Sequence, residues 1–344
     1  MFELAEIAQL SRPTVFRLVA TLQANGMVVK DGQRRYRLAG GYTAGRRYKI
    51  GYLAETGETS FYRAVSKGIV DCAQRTGVDL VVLNSQRNPE VALQNADKLL
   101  AENVDLIIIF QSFAHVAAVV SMRTSSRKIP LIAVEIPHPG ATFFGVDNCN
   151  AGLTAGRYLA HWAERQWKGQ VDEILLIGSP RAGSLPEARL TGSLLGINEV
   201  LPNSAHTLTS TVNGDWDFDV SYQAVLQHLR KSKAERILVS AIFDPSALGA
   251  LQAFTDADRL HCCAIVGQNG SIEARLQMRK PNSRLIGSVA YFPERYGEQL
   301  IALSMDMLLN RVAIPNAVFI KHQLLTPDNL KQHYKREMQA IKIA

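Results

Sequence analysis

From Lys49 onward the chain repeats one pattern, a short apolar run followed by an amphipathic helix, and that pattern narrows the possible folds more than any other feature. "KIGYLA" precedes "FYRAVSKGIVDCAQRTG", "VDLVVLN" precedes "PEVALQNADKLLAEN", "VDLIIIF" precedes "HVAAVVSMRTSSR", and then come "IPLIAVE" and "FFGVD". A strand that is apolar on both faces must be covered on both, so strands of this kind separated by helices specify a parallel, doubly wound α/β sheet. After a helix from about Ala151 the alternation resumes with "EILLIGS", "ERILVSAI", "CAIVGQ" and "LIGSVA", and it finishes with "AVFIKHQLLT". An ordinary sheet holds ~5–6 strands. The sequence therefore predicts two α/β lobes, with a cleft between them as the natural ligand site.

The first residues follow a different rule. "SRPTVFRLVATLQANG" predicts a short helix, with Ser11 as N-cap, Pro13 in the first turn and Gly26 as the stop. Val15, Leu18, Val19 and Leu22 recur at helical spacing and are expected to be buried, leaving Thr14, Arg17 and Thr21 on another face. "ELAEIAQL" before it reads as a second short helix, which makes the pair a helix-turn-helix. "MVVKDGQRRYRL" after it reads as strand, turn at Asp31-Gly32, and strand, with Arg34, Arg35 and Arg37 on the returning arm. The outline is a winged helix-turn-helix; a helical hairpin followed by a β-hairpin with no DNA role has the same pattern.

Charge separates these readings. Residues 1–50 carry nine Lys/Arg against three acids, a net +6 that leaves only +1 of the chain's +7 for everything else. A basic module beside a near-neutral body favours phosphate contacts at one end only. The four cysteines, Cys72, Cys149, Cys262 and Cys263, lack metal-ligand spacing and are expected to be buried thiols in a reducing compartment. "MFELAEIAQL" has no secretory pattern, and no apolar run approaches the ~20 residues of a membrane span, so a cytoplasmic protein is expected. No ordered Ser/His/Asp set, metal-spaced histidines or phosphate loop appears, so neither catalysis, metal nor cofactor is expected. Glu135 and His138, in a Pro-rich turn, read as surface groups.

Two resemblances rest on these residues. "LAEIAQLSRPTVFRLVATLQANGMVVKDGQRRYRLAGG" resembles the IclR-type winged helix, less that domain's usual first helix, for which an upstream start codon is the expected explanation. Residues 48–328 resemble the type I periplasmic sugar-binding fold shared by ribose-binding-like proteins and lactose-repressor-type effector domains, through "KIGYLAETGETSFYRAVSKGI", "GVDNCNAGLTAGRYLA", "EARLTGSLLGI", "DFDVSYQAVLQHL", "FDPSALGALQAF" and "IVGQNG". "TPDN" near the C-terminus is similar to repressor-family ends. Together they imply residues 1–38 as a DNA-binding domain, 39–48 as linker, 49–328 as a two-lobed effector domain and 329–344 as a polar, fraying tail.

The second resemblance implies aromatic cleft walls at Phe61, Tyr62 and Trp216, which suit the C–H faces of a sugar. It also implies Arg189 as a donor to ligand hydroxyls, and Glu135, Phe243, Asn269 and Tyr291 as further ligand positions. Ile136, Phe243 and Tyr291 stand where the family often has polar groups, which points to a ligand with fewer hydroxyls than ribose. Asp244 is expected to cap its helix, and Asp147 and Asn148 either to organise the hinge or to touch ligand. The expected function is a dimeric transcription regulator in which a sugar-like effector changes DNA affinity, with Arg12, Thr14, Arg17, Thr21, Arg34 and Arg35 meeting DNA. The competing expectation is a solute-binding component of a sugar import system with a miscalled N-terminus.

Overall fold

The structure, a computed structural model, describes residues 11–24, 28–30, 36–38, 48–55, 60–111, 113–180, 183–309 and 313–334. At the N-terminus helix α1 (Arg12–Ala24) begins directly after Ser11, whose carbonyl accepts from the Thr14 and Val15 amides. Val15 and Val19 are buried and Leu22 half-buried, but Leu18 is 48% exposed and Phe16 61%, so the buried stripe is narrower than the spacing predicted. Arg17 and Thr21 are exposed and Thr14 half-buried. Strands β1 (Val28–Lys30) and β2 (Tyr36–Leu38) pair antiparallel, with Lys30 opposite Tyr36. The expected first helix, Gly26, the Asp31-Gly32 turn, Arg34, Arg35 and residues 39–47 lie outside the described residues, as do the side chains of Arg12 and Arg37.

The first lobe runs β3 (Lys49–Ala54), α2 (Ser60–Thr76), β4 (Asp79–Asn84), α3 (Pro89–Ala101), β5 (Leu106–Ile109), α4 (Ala114–Ser126), β6 (Leu131–Val134) and β7 (Thr142–Val146). The second runs α5 (Asn148–Trp167), β8 (Glu173–Gly178), α6 (Ser184–Val200), β9 (Leu208–Asn213), α7 (Phe218–Leu229), β10 (Ile237–Ala241), α8 (Asp244–Asp256), β11 (Cys263–Asn269), α9 (Ile272–Met278) and β12 (Leu285–Ala290). The chain then returns to the first lobe with α10 (Tyr296–Leu308) and β13 (Ala317–Ile320). It crosses once more to β14 (Gln323–Leu325) and the short helix α11 (Leu330–His333).

The two six-stranded sheets have matching orders, β4-β3-β5-β6-β7-β13 and β9-β8-β10-β11-β12-β14. All pairings are parallel except β12 with β14. The result is a two-lobed α/β fold whose strand order reverses beside β3 and beside β8, which aims the carboxyl ends of both sheets at the space between the lobes. The central strands are buried along their length, β5 and β6 at every residue.

Several expectations change. β9, "LTSTVN", was not anticipated as a strand; it is an edge strand with alternate residues in water, so it lacks an apolar run. "AVFIKHQLLT" is two strands in two sheets, with Lys321 and His322 between them. The expected fraying from residue 329 does not begin there: the Asn329 amide donates to the Leu324 carbonyl, Leu330 is buried, and the Tyr334 ring lies 3.8 Å from the Arg275 guanidinium. Cys72, Cys262 and Cys263 are buried thiols as expected, whereas Cys149 is exposed.

Helices α5 and α6 cross unusually closely through "GLTAG" and "GSLLG". A Cβ at Gly152 would stand 2.0 Å from the Arg189 carbonyl oxygen, one at Gly156 2.0 Å from that of Ser193, and one at Gly192 2.1 Å from that of Cys149. Gly297 of α10 meets Gly68 of α2 in the same manner, at 2.0 Å. Only residues without a side chain permit backbones so near each other. The α5–α6 crossing fixes where Arg189 enters the cleft.

Candidate functional site

The carboxyl ends of the strands bring most of the sequence-predicted residues together. Phe61 and Tyr62 open α2, Glu135 follows β6, Trp216 follows β9, Phe243 follows β10, and Tyr291 follows β12. Phe61 meets Tyr62, Phe110, Tyr291 and Tyr296 edge-on at centroid distances of 6.4, 6.3, 6.4 and 5.7 Å, and Tyr62 stacks on Phe110 at 4.3 Å. In the second lobe Trp216 and Phe243 meet edge-on at 5.5 Å. Aromatic rings of the two lobes meet where Tyr291 packs edge-on against Phe61.

Arg189 sits at its centre and is buried. Its Nε donates to Asn148 Oδ1 at 2.6 Å and its Nη1 to the Ile242 carbonyl at 3.1 Å. The guanidinium lies 4.8 Å from the Phe243 ring centroid and 4.9 Å from that of Tyr291, a cation–π arrangement on two rings. Its Nη2 is 3.7 Å from Glu135 Oε2, so a second-lobe cation faces a first-lobe carboxylate across the cleft. Glu135 also accepts from the Tyr296 hydroxyl and holds a left-handed φ of 61°. Burial pushes its pKa up, while Arg189 and the Tyr296 hydrogen bond pull it down. Burial likewise raises the Tyr62, Tyr291 and Tyr296 phenols, which remain neutral donors. Tyr291 donates to Gln268 Oε1 at 2.6 Å.

Asn269 ends β11 beside Tyr291, half-buried and with a φ of 102°. Asp147 caps α5 by accepting from the Asn150 amide, and Asn148 anchors Arg189, so both organise the lobe crossover. Asp244 does not cap its helix. It is fully buried and accepts from the Ser271 amide and the Ser288 hydroxyl, each at 2.6 Å, tying α8 to the loop after β11 and to β12. Burial pushes its pKa up to about 7 against those hydrogen bonds. Glu135 and His138 are not surface groups: both are buried, and burial lowers the His138 pKa to about 4.

Phe110, Gln111, Gln268 and Tyr296 were not singled out by sequence reasoning. Phe110 and Gln111 continue straight from the apolar run of β5, a position whose strand-end location was the available signal. Among the described residues no cluster of His, Cys, Asp or Glu could hold a metal, and no helix is long and apolar enough to cross a membrane. An open depression of about 800 Å³, lined by Lys168, Asp172, Leu201 and Arg236 among others, lies at the amino ends of β8 and β10, away from this lining.

A periplasmic binding protein domain model matches residues 50–311, and an IclR helix-turn-helix domain model matches residues 1–32. The ribose import binding protein of Salmonella typhimurium is 25% identical over 263 residues, covering 75% of this chain and 84% of that protein. Its Escherichia coli counterpart is 25% identical over 252 residues, covering 72% and 80%. Among solved structures, a solute-binding protein from Bacillus halodurans with bound myo-inositol has a TM-score of 0.72 at 17% identity, covering 85% of this chain and 99% of that one. A periplasmic ribose transporter protein from Conexibacter woesei has a TM-score of 0.73 at 16% identity, covering 86% and 97%.

Proposed function

The chain belongs to the periplasmic binding protein domain family, and from that premise we propose that it is a one-component transcription regulator whose interlobe cleft binds a sugar or sugar-like metabolite. The observation that carries the reading is the fusion: a helix-turn-helix match over residues 1–32 precedes the binding-domain match over residues 50–311 in one chain. The basic excess of the first 50 residues supports it. Residues 1–38 bind DNA, 39–48 link, and the lobes from residue 49 sense the effector. Phe61, Tyr62, Glu135, Arg189, Trp216, Phe243, Asn269 and Tyr291 line the ligand site. Aromatic faces pack on sugar C–H patches, while the charged pair orients hydroxyls. Ligand binding shifts the lobes, and in a homodimer that shift changes the spacing of two DNA-binding modules.

In this reading Thr14, Arg17 and Thr21 approach base edges, and Arg12, Arg34 and Arg35 the phosphates. The protein works in the cytoplasm, where its operator is. The test is fluorescence anisotropy of the full chain on its own promoter DNA at two salt concentrations, beside an Arg17→Ala/Arg34→Ala variant. Salt-sensitive binding that the variant loses, and that a sugar modulates, is the expected result. A second reading is favoured by the curated relatives, which are ribose import binding proteins. Sugar binding with no DNA binding at low salt would select that reading, a solute-binding component of an import system.

A further inference from the structure

Two surface depressions lie outside the cleft, and their charges differ. The larger, described above, sets Lys168 and Arg236 beside Glu164 and Asp172, and Arg236 is already bound to Asp172 through Nη2 at 2.6 Å. The smaller, of about 440 Å³, is lined by Arg279, Lys280 and Lys331 and by no acidic side chain. That volume falls within the ~300–1,000 Å³ of small-molecule sites. Arg279 and Lys280 follow the end of α9, and Lys331 comes from α11, so two separate elements bring the cations together. Arg279 is half-buried, whereas Lys280 and Lys331 are exposed, and neither lysine holds an ion pair among the described residues. Asp328, the nearest acid in sequence, is exposed and does not line the depression. Cations near a helix C-terminus offset its dipole, which accounts for each of these residues alone. It does not account for their convergence on one concave surface, where like charges repel and a bound anion removes the cost.

We propose that this depression binds a small phosphate-bearing molecule, at a site separate from the interlobe cleft. A guanidinium such as that of Arg279 offers a planar fork of donors to two phosphate oxygens, and the two lysines supply point charges from the rim. Asn282, in the turn between α9 and β12, adds a neutral amide donor. The topology separates this site from DNA. β14 runs antiparallel to β12, so the chain beyond Leu325 lies at the amino end of β12, the end away from the cleft. The N-terminal segment joins at the amino end of β3, in the other lobe. These positions stand at the two far ends of the lobed body, which favours a soluble phosphate compound over DNA phosphates held by residues 1–38. A ligand here bridges the turn after α9 to the segment after β14, and so ties down the last strand to cross between the lobes.

The test is isothermal titration of the full chain with pyrophosphate at constant ionic strength. Saturable binding is expected, weakened about tenfold or more in a Lys280→Gln/Lys331→Gln variant. Both lysines are exposed, so the ligand-free unfolding temperature of that variant matches wild type. Two controls remove the same charge elsewhere and bind pyrophosphate as wild type does: Lys231→Gln/Lys233→Gln, at exposed positions just beyond α7, and Arg17→Ala/Arg34→Ala in the N-terminal segment. Absence of saturable binding overturns the proposal. Equal weakening in either control overturns it too, because the effect is then one of overall charge. A loss of promoter DNA affinity in Lys280→Gln/Lys331→Gln as large as its loss for pyrophosphate overturns it in favour of a nucleic-acid backbone contact.

Discussion

Replacing Gly152 by alanine tests the helix crossing that places Arg189. The new Cβ would stand 2.0 Å from the Arg189 carbonyl oxygen and 2.7 Å from its carbonyl carbon, whereas ordinary contact begins at 3.4 Å. Both neighbours are backbone, so no side chain can swing aside, and α5 and α6 must separate locally by about an ångström or more. Alanine in a helix interior gains up to about 1 kcal/mol over glycine. Overpacking of this kind costs about 1–3 kcal/mol, and disturbing the charge-assisted bond from Arg189 to Asn148 costs about 1.5–3 kcal/mol more. Strain wins, and the net loss is roughly 1.5–5 kcal/mol. For a two-lobed unit of this size that lowers the unfolding temperature by roughly 3–8 °C. The assay is thermal unfolding followed by circular dichroism, with exposed Asn150→Ala on the same helix as the control, expected within about 0.5 kcal/mol of wild type. A Gly152→Ala protein that unfolds at or above the wild-type temperature would show that propensity outweighs contact and refute the close crossing.

Two further outcomes follow from the buried charges. Arg189→Met strands the buried Glu135 carboxylate and the Asn148 amide oxygen, so it destabilises by about 3 kcal/mol or more in urea unfolding and removes sugar binding; a variant of wild-type stability would contradict the network. Asp244 has its pKa pushed from 3.8 up to about 7 by burial, so the folded state holds a proton more tightly than the unfolded one. Its contribution is therefore complete below about pH 4 and is lost as pH rises through 7. Between about pH 4 and 7 the wild type loses up to about 1.4 kcal/mol per pH unit that Asp244→Asn does not lose, and parallel stability curves for the two proteins would exclude the assignment.

The sheets were largely legible because parallel strands covered on both faces must be apolar throughout, as "LIII" and "LIAV" are. β9 escaped because an edge strand needs only half its residues apolar. The aromatic lining was legible through family resemblance, residue by residue, but its connections were not. Gln111 finds its partner Ala54 57 positions away and Tyr296 finds Glu135 161 positions away, separations that no local pattern encodes. Asp244 misled for the same reason. At the head of a helix an aspartate reads as a cap, yet its partners Ser271 and Ser288 belong to elements that only the completed sheet brings near.

The strand crossing at Lys321 and His322 also bears on synthesis. β13 completes the edge of the first sheet beside β7, and β14 completes the edge of the second beside β12. As the chain leaves the ribosome, its N-terminal segment appears first, yet neither lobe can acquire its last strand until residues beyond 316 have emerged. A nonsense codon anywhere before β13 therefore strips an edge from both lobes at once. Truncated products then carry two unfinished sheets, and no lobe is left sound by itself.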